Sequence, residues 1–250
     1  MQSLLIMAPM PVAAVVSQTI AGMSRALSPD PKEAFICPAN TGVGIILDMG
    51  VAVTVDTAFV GYHTAIGTQQ FSMSACDSAG SNALAVVSGT SLAPLGYGPP
   101  NHGFRKGTAR TSRYFRFDFS SLNAAAFSVG VIALGKAWQS QWGQEMGAGR
   151  QVIDTGSAER LFGGGFGIDE GARSDAYQWT FGDLQAAEIR SLYAIVSDRG
   201  TTRTVLVIED PEITDGLNER IHWGLFQKLD FYERVDPSNW KWSLQVADWA

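Results

Sequence analysis

Apolar and polar residues alternate over short stretches along most of this chain, and turn residues separate the stretches. The clearest case is RYFRFDF (Arg113 to Phe119), where Phe115, Phe117 and Phe119 take every second position. A strand puts such residues on one face, so the three phenylalanines point to a core and Tyr114 and Arg116 to the opposite side. FSVGVIALG (Phe127 to Gly135) follows a short polar break and reads as the second strand of a hairpin. Upstream lie GIILDMG (Gly44 to Gly50), the β-branched run VAVTVDTAFVGYH (Val51 to His63, with a break near Asp56) and the alternating QFSMSACDSAG (Gln70 to Gly80). Downstream, TRTVLVIEDP (Thr202 to Pro211) reads as a buried strand, and RIHWGLFQKLDFYERV (Arg220 to Val235) as a pair of strands or one bent one. NWKWSLQVADW (Asn239 to Trp249) is the closing strand, with Trp240 and Trp242 on a shared face.

One segment has helical character: DLQAAEIRSLYAIVSDRG (Asp183 to Gly200), with Asp183 as N-cap, Gly200 as stop, and Leu184, Leu192 and Ile195 on one side. Short strands at regular spacing with a single helix predict a mainly β protein, a sandwich or barrel. Between Gly143 and Gly171 the texture changes to dense glycine and short strands. That change predicts a boundary, with one domain at 1–142 and a smaller β-rich domain at 143–250 whose helix falls near 183–198.

Composition narrows the function classes. Charged residues make up 17% of the chain, below the usual quarter, so partner molecules are expected to cover part of the surface. Net charge is −6, and the 18 Lys and Arg form no run, which argues against a phosphate-tracking surface and hence against nucleic acid. No apolar run has the length of a membrane span, and no basic amphipathic stretch suggests membrane association. The N-terminal apolar stretch has no Lys or Arg ahead of it and two prolines within it, so it is not read as a signal peptide, and the chain is expected to be made in the cytosol without export. Cys37 and Cys76 fit no zinc spacing and read as buried free thiols, with one disulfide between them as the alternative.

Catalytic signatures are missing from the sequence. His63, His102 and His222 are far apart, and none forms a metal-binding i, i+4 pair. There is no G-x-S-x-G elbow. GGGFGIDEG (Gly163 to Gly171) fails the G-x-G-x-x-G pattern from Gly163, because Ile168 stands where glycine is needed, and from Gly165, because Glu170 does. It reads as a flexible loop that lets backbone approach a neighbour. The five carboxylates between Glu209 and Glu219 read as a solvated acidic turn. No catalytic residue, metal or cofactor is therefore expected. What remains is the Gly/Pro-rich stretch LGYGPPNHGFRKGTART (Leu95 to Thr111), read as a long loop. There Tyr97, Asn101, His102 and Arg105 offer an aromatic platform with hydrogen-bonding partners, suited to a glycan or to an adjacent subunit. Trp138 and Trp142 just after the hairpin are candidate interface aromatics.

Two resemblances extend this reading. GIILDMG, VAVTVDTAFVGYH, FSMSACDSAG, RYFRFDF and FSVGVIALG, in that order, resemble the strands of galactose-binding-like (discoidin-type) jelly rolls over residues 1–140, with Met49 where that family carries leucine. The resemblance implies a β-sandwich with any sugar site in loops at one end, here His63 to Gln69 and Tyr97 to Lys106. In the second half, TVLVIEDP, IHWGLFQKLDFYERV and WKWSLQVADW resemble segments of structural proteins of tailed bacteriophages, with Asp248 where that pattern often has glutamate. This implies a non-enzymatic virion component of the tail, its tip or baseplate. Such a component would be assembled in the host cytoplasm, with other tail proteins and copies of itself as partners. The alternative is a carbohydrate-binding module for host-surface glycan.

Overall fold

The computed structural model describes residues 3–92, 101–121 and 124–249. In chain order its strands are β1 (Leu4–Met7), β2 (Ala14–Gln18), β3 (Phe35–Cys37), β4 (Gly42–His63), β5 (Gln70–Cys76), β6 (Leu84–Ser91), β7 (Asn101–Ser120), β8 (Phe127–Val129), β9 (Val131–Gly135) and β10 (Ala137–Gln139). They continue with β11 (Gly149–Asp154), β12 (Ser157–Arg160), β13 (Phe166–Asp169), β14 (Arg173–Gln185), β15 (Val205–Glu209), β16 (Ile221–Leu229), β17 (Glu233–Arg234) and β18 (Asn239–Asp248). The α-helix α1 spans Ala186–Arg199. The protein is mainly β, a sandwich type, as the alternation predicts.

Residues group into two compact units. One holds 4–139 and 206–221, the other 140–205 and 222–249. The division is not linear along the chain. Residues 206–221 return to the first unit because β15 pairs antiparallel with β1, from Leu4 opposite Glu209 to Met7 opposite Leu206.

In the first unit an antiparallel sheet runs in the order β2-β4-β7-β5-β6, and β9 also pairs with β4. The stretches expected as two strands, 44–50 and 51–63, are one strand of 22 residues, β4. It bends where its register against β7 slips between Asp48 and Val53 and again between Val55 and Thr57. Gly50 stands at the first bend with φ +79°, a conformation that other residues rarely adopt. Its N–H donates to Asp48 Oδ1 at 2.7 Å, and Arg113 grips the same carboxylate through Nε and Nη2, both at 2.8 Å.

The expected hairpin does not form. β7, which contains RYFRFDF, pairs with β4 and β5, whereas β9 pairs with β4 through Thr57↔Gly135 to Gly61↔Val131. The two stretches flank one long strand instead of each other. Side-chain alternation held even so. Phe115, Phe117 and Phe119 are buried, in rows with Leu47 and Ala75, Ile45 and Met73, and Val43 and Phe71 of the neighbouring strands. The small β3–β8 sheet closes this core, with Phe35 edge-on to Phe119 at 5.6 Å between centroids and Phe127 beyond it at 6.5 Å. Cys37 and Cys76 are free and buried.

The second unit is an antiparallel sheet, β16-β18-β14-β11, with β17 pairing the start of β18. Tyr177, Trp179 and Phe181 alternate along β14 into its core beside Trp242, Leu244 and Val246 of β18. Trp242 is buried, while Trp240, two residues earlier, is half-covered with the Arg234 guanidinium 5.5 Å above its ring. Helix α1 starts three residues after Asp183, since Asp183 and Leu184 still belong to β14. Glu188 does the capping: its Oε2 accepts the Gln185 N–H at 2.8 Å. Ile189, Leu192 and Val196 form the buried stripe, and Gly200 ends the helix by donating its N–H to Val196 O at 2.8 Å.

Candidate functional site

Strands β4, β7 and β5 lie side by side, and the outer face of this part of the sheet is polar. Directly opposite residues form rows. Gly44, Asp118 and Ser72 make one; Gly42, Ser120 and Gln70 make the next. With Thr19, Gly89 and Arg116 they line a groove of about 330 Å³, open to solvent. That volume sits at the lower end of the roughly 300–1,000 Å³ usual for small-molecule sites.

Arg116 and Asp118 are two residues apart on one strand, so they share the outer face. The Arg116 guanidinium donates to Asp118 Oδ1 through Nε at 2.8 Å and through Nη2 at 2.6 Å. Both side chains are more than a third exposed, so their mutual attraction adds little stability. Each keeps hydrogen-bonding capacity to spare, because a guanidinium has five donors and a carboxylate about four acceptor positions. Glycine at position 44 makes room for them. A Cβ there would stand 2.7 Å from Asp118 Oδ1 and 3.2 Å from the Phe117 carbonyl. Gly44 is itself held from the β2 side: its N–H donates to Thr19 Oγ1 at 3.0 Å, and Thr19 Oγ1 donates back to the Gly44 carbonyl at 3.1 Å. The groove thus offers donors and acceptors on a rigid three-strand platform whose reverse side is the phenylalanine core.

The expected loop residues are placed otherwise. Tyr97 lies outside the described residues. Residues 101–111 are not loop but the first half of β7. Asn101 is half-buried opposite His63, and Arg105 is exposed opposite Ala58. His102 is buried, with its ring 5.5 Å from Phe59 and edge-on to Tyr62 at 4.9 Å. Its backbone N–H donates to Asn218 Oδ1 at 2.7 Å. An imidazole enclosed in this way is a packing element, which corrects its expected place in an open platform. Trp138 is buried in β10 opposite Ile6, whereas Trp142 is half-exposed.

Two histidines carry shifted or coupled chemistry. Burial pushes the His63 imidazole down to about 4, and its Nδ1 accepts the Ala65 N–H at 3.3 Å. In the second unit, His222 Nδ1 lies 3.0 Å from Asp248 Oδ2, and Tyr177 stacks on the His222 ring at 5.0 Å. Burial raises the Asp248 carboxyl above its ordinary range, against the lowering effect of His222. Asp248 borders a second groove of about 380 Å³ with Ser174, Leu225 and Gln227. Among the described residues, no group of three or more His, Cys, Asp or Glu side chains is placed to hold a metal.

From its pattern RYFRFDF reads as a core strand, and the candidate site residues lie before and after it. The same alternation that buries its phenylalanines forces Arg116 and Asp118 outward as an opposite-charge pair. With the glycine of GIILDMG this was the available signal.

No known family's profile matches the chain, and no curated protein does. Among solved structures it is similar to chitosan-binding module 1 of a chitosanase/glucanase from Paenibacillus sp. IK-5, at 19% identity over 51% of this chain and 96% of that one, with a TM-score of 0.38. It is also similar to the CBM32 of AlyQ in complex with 4,5-unsaturated mannuronic acid, at 22% identity over 51% and 97%, TM-score 0.41. A pectin-binding carbohydrate-binding module matches at 14% identity over 50% and 90%, TM-score 0.37. At scores this low, what those modules bind belongs to them, and the reading for this chain rests on its own groove.

Proposed function

We propose that this protein recognises carbohydrate without transforming it, and that the Arg116–Asp118 groove is where it does so. The observation that carries the reading is the row Gly44, Asp118, Ser72, with Arg116, Gln70 and Thr19 around it, in a groove of about 330 Å³. A sugar ring presents neighbouring hydroxyls, each both donor and acceptor. A guanidinium beside a carboxylate answers such a pair from one side, and Ser72 and Gln70 add neutral partners. A glycan array tests it. Wild-type protein binds at least one neutral glycan, and Arg116→Ala and Asp118→Ala each lose that signal. If Arg105→Ala abolishes binding while both groove variants keep it, the site is at the Gly/Pro stretch and the proposal is wrong.

A second reading, a structural component of a phage tail, rests on the sequence resemblance of the second half, and one surface suits contact with another protein. The segment 155–172 forms a hairpin whose large apolar residues Leu161, Phe162, Phe166 and Ile168 are all exposed. Exposed apolar surface of this kind marks a contact with another protein. Presence of the chain in purified particles, detected by mass spectrometry, would support it. The two readings are compatible, and location in a virion is part of the second only.

A further inference from the structure

We infer that two copies of this chain join through the free edge of β11, with each copy's projecting hairpin laid against the other. This deepens the assembly reading by naming its surface and its partner.

Three observations converge. Among the described residues β11 pairs with β14 alone, so its other side is an open row of backbone donors and acceptors. Natural edges of this sort are blunted by proline, a bulge or charged side chains, lysine above all. GRQVID, Gly149 to Asp154, has no proline, lysine or bulge; its two charges, Arg150 and Asp154, are of opposite sign, and Val152 between them is 63% exposed.

Second, the strand is complementary to itself. Antiparallel pairing about a two-fold axis at Val152 sets Val152 against its own copy. It also sets Arg150 of each chain opposite Asp154 of the other, giving two opposite-charge pairs in one register. Asp154 already accepts Arg173 Nε at 2.9 Å, and its carboxylate has positions left for a second guanidinium.

Third, the hairpin needs a cover. β12 and β13 pair Ala158 with Ile168 and Arg160 with Phe166, so Ala158, Phe166 and Ile168 share one face with Arg160 at its end, while Ser157, Glu159 and Asp169 share the other. Two strands of four residues do not hold an apolar face in water unaided. The two-fold register carries each hairpin alongside the other copy's segment just before β11. That segment holds Met146, fully exposed, and Trp142, 49% exposed. These apolar side chains, unexplained within one chain, become the counterpart of Ala158 and Phe162.

The test is a symmetric cross-link. Val152→Cys places two thiols across the axis, and the native Cys37 and Cys76 are buried. Under mild oxidation this variant forms a disulfide-linked dimer much faster than Val235→Cys, an equally exposed control. Sedimentation equilibrium of the unmodified chain shows a dimer, and Val152→Asp shifts it to monomer while its circular dichroism is unchanged. A monomeric wild type, or a Val152→Cys variant that cross-links no faster than Val235→Cys, overturns the inference. Either result would leave the assembly reading itself to be decided separately, by whether the chain is found in particles with other proteins.

Discussion

Protonating His63 should destabilise the first unit over a calculable pH window. Its ring is 2% exposed, and burial holds it near 4 in the folded protein against 6.5 in an open chain. The folded value is depressed, so stability is complete above pH 6.5 and falls as the pH drops toward 4, because the unfolded chain takes the proton first. The 2.5 units between the two values give the scale at about 1.4 kcal/mol per unit. By pH 5.5 the loss is about 1.4 kcal/mol, and by pH 4 about 3 kcal/mol. Urea titrations at pH 7, 5.5 and 4, read by tryptophan fluorescence, measure this for wild type and for His63→Gln. Comparing the two slopes removes the opposite contribution of Asp248, whose raised carboxyl gains stability on acidification. The variant is less stable at pH 7 and its dependence is flatter by about 3 kcal/mol between pH 7 and 4. Parallel pH profiles for the two proteins would refute the argument that the buried ring is neutral.

Other positions follow the same physics. Phe117→Ala empties the centre of the phenylalanine row and should cost about 3–5 kcal/mol in a urea midpoint analysis. Asp56→Ala removes the acceptor of the Ala137 N–H, 2.8 Å away, and of the Thr57 hydroxyl, 2.7 Å away, at about 1–3 kcal/mol, whereas Asp56→Asn keeps the amide oxygen and loses less. Gly224→Ala would put a Cβ 1.8 Å from the Ala247 carbonyl, so β16 must part from β18, and hydrogen exchange of β18 amides should accelerate. Gly44→Ala should leave the melting temperature near wild type but displace the Asp118 carboxylate, weakening glycan binding about tenfold in calorimetry.

Strands were legible in the sequence because side-chain alternation is local. Phe115, Phe117 and Phe119 went inward whatever their neighbours, and Gly200 stopped its helix by its own backbone freedom. Pairing was not legible. RYFRFDF and FSVGVIALG are adjacent in sequence, and the turn between them suggested a hairpin, yet β4 lies between β7 and β9, its residues Thr57 to Val60 pairing with β7 along one edge and with β9 along the other. The same non-local pairing hid the groove. Gly44, Ser72 and Asp118 are scattered along the chain, and only the registers of β4, β7 and β5 bring them into one row. The reading of 95–111 as loop followed its glycines and proline, but Gly103 and Gly107 are strand residues where a Cβ would meet Leu92 at 2.5 Å and the Val86 carbonyl at 1.9 Å. Glycine there marks close packing, which composition cannot tell from a turn.

The central claim, that the outer face of β4, β7 and β5 holds a sugar, is tested most directly by amide chemical-shift mapping in a titration with a glycan found on the array. The account predicts saturable shifts at Gly42, Gly44, Ser72, Arg116, Asp118 and Ser120, absent in Arg116→Ala. Shifts confined to other surfaces, or none at millimolar sugar, would contradict it.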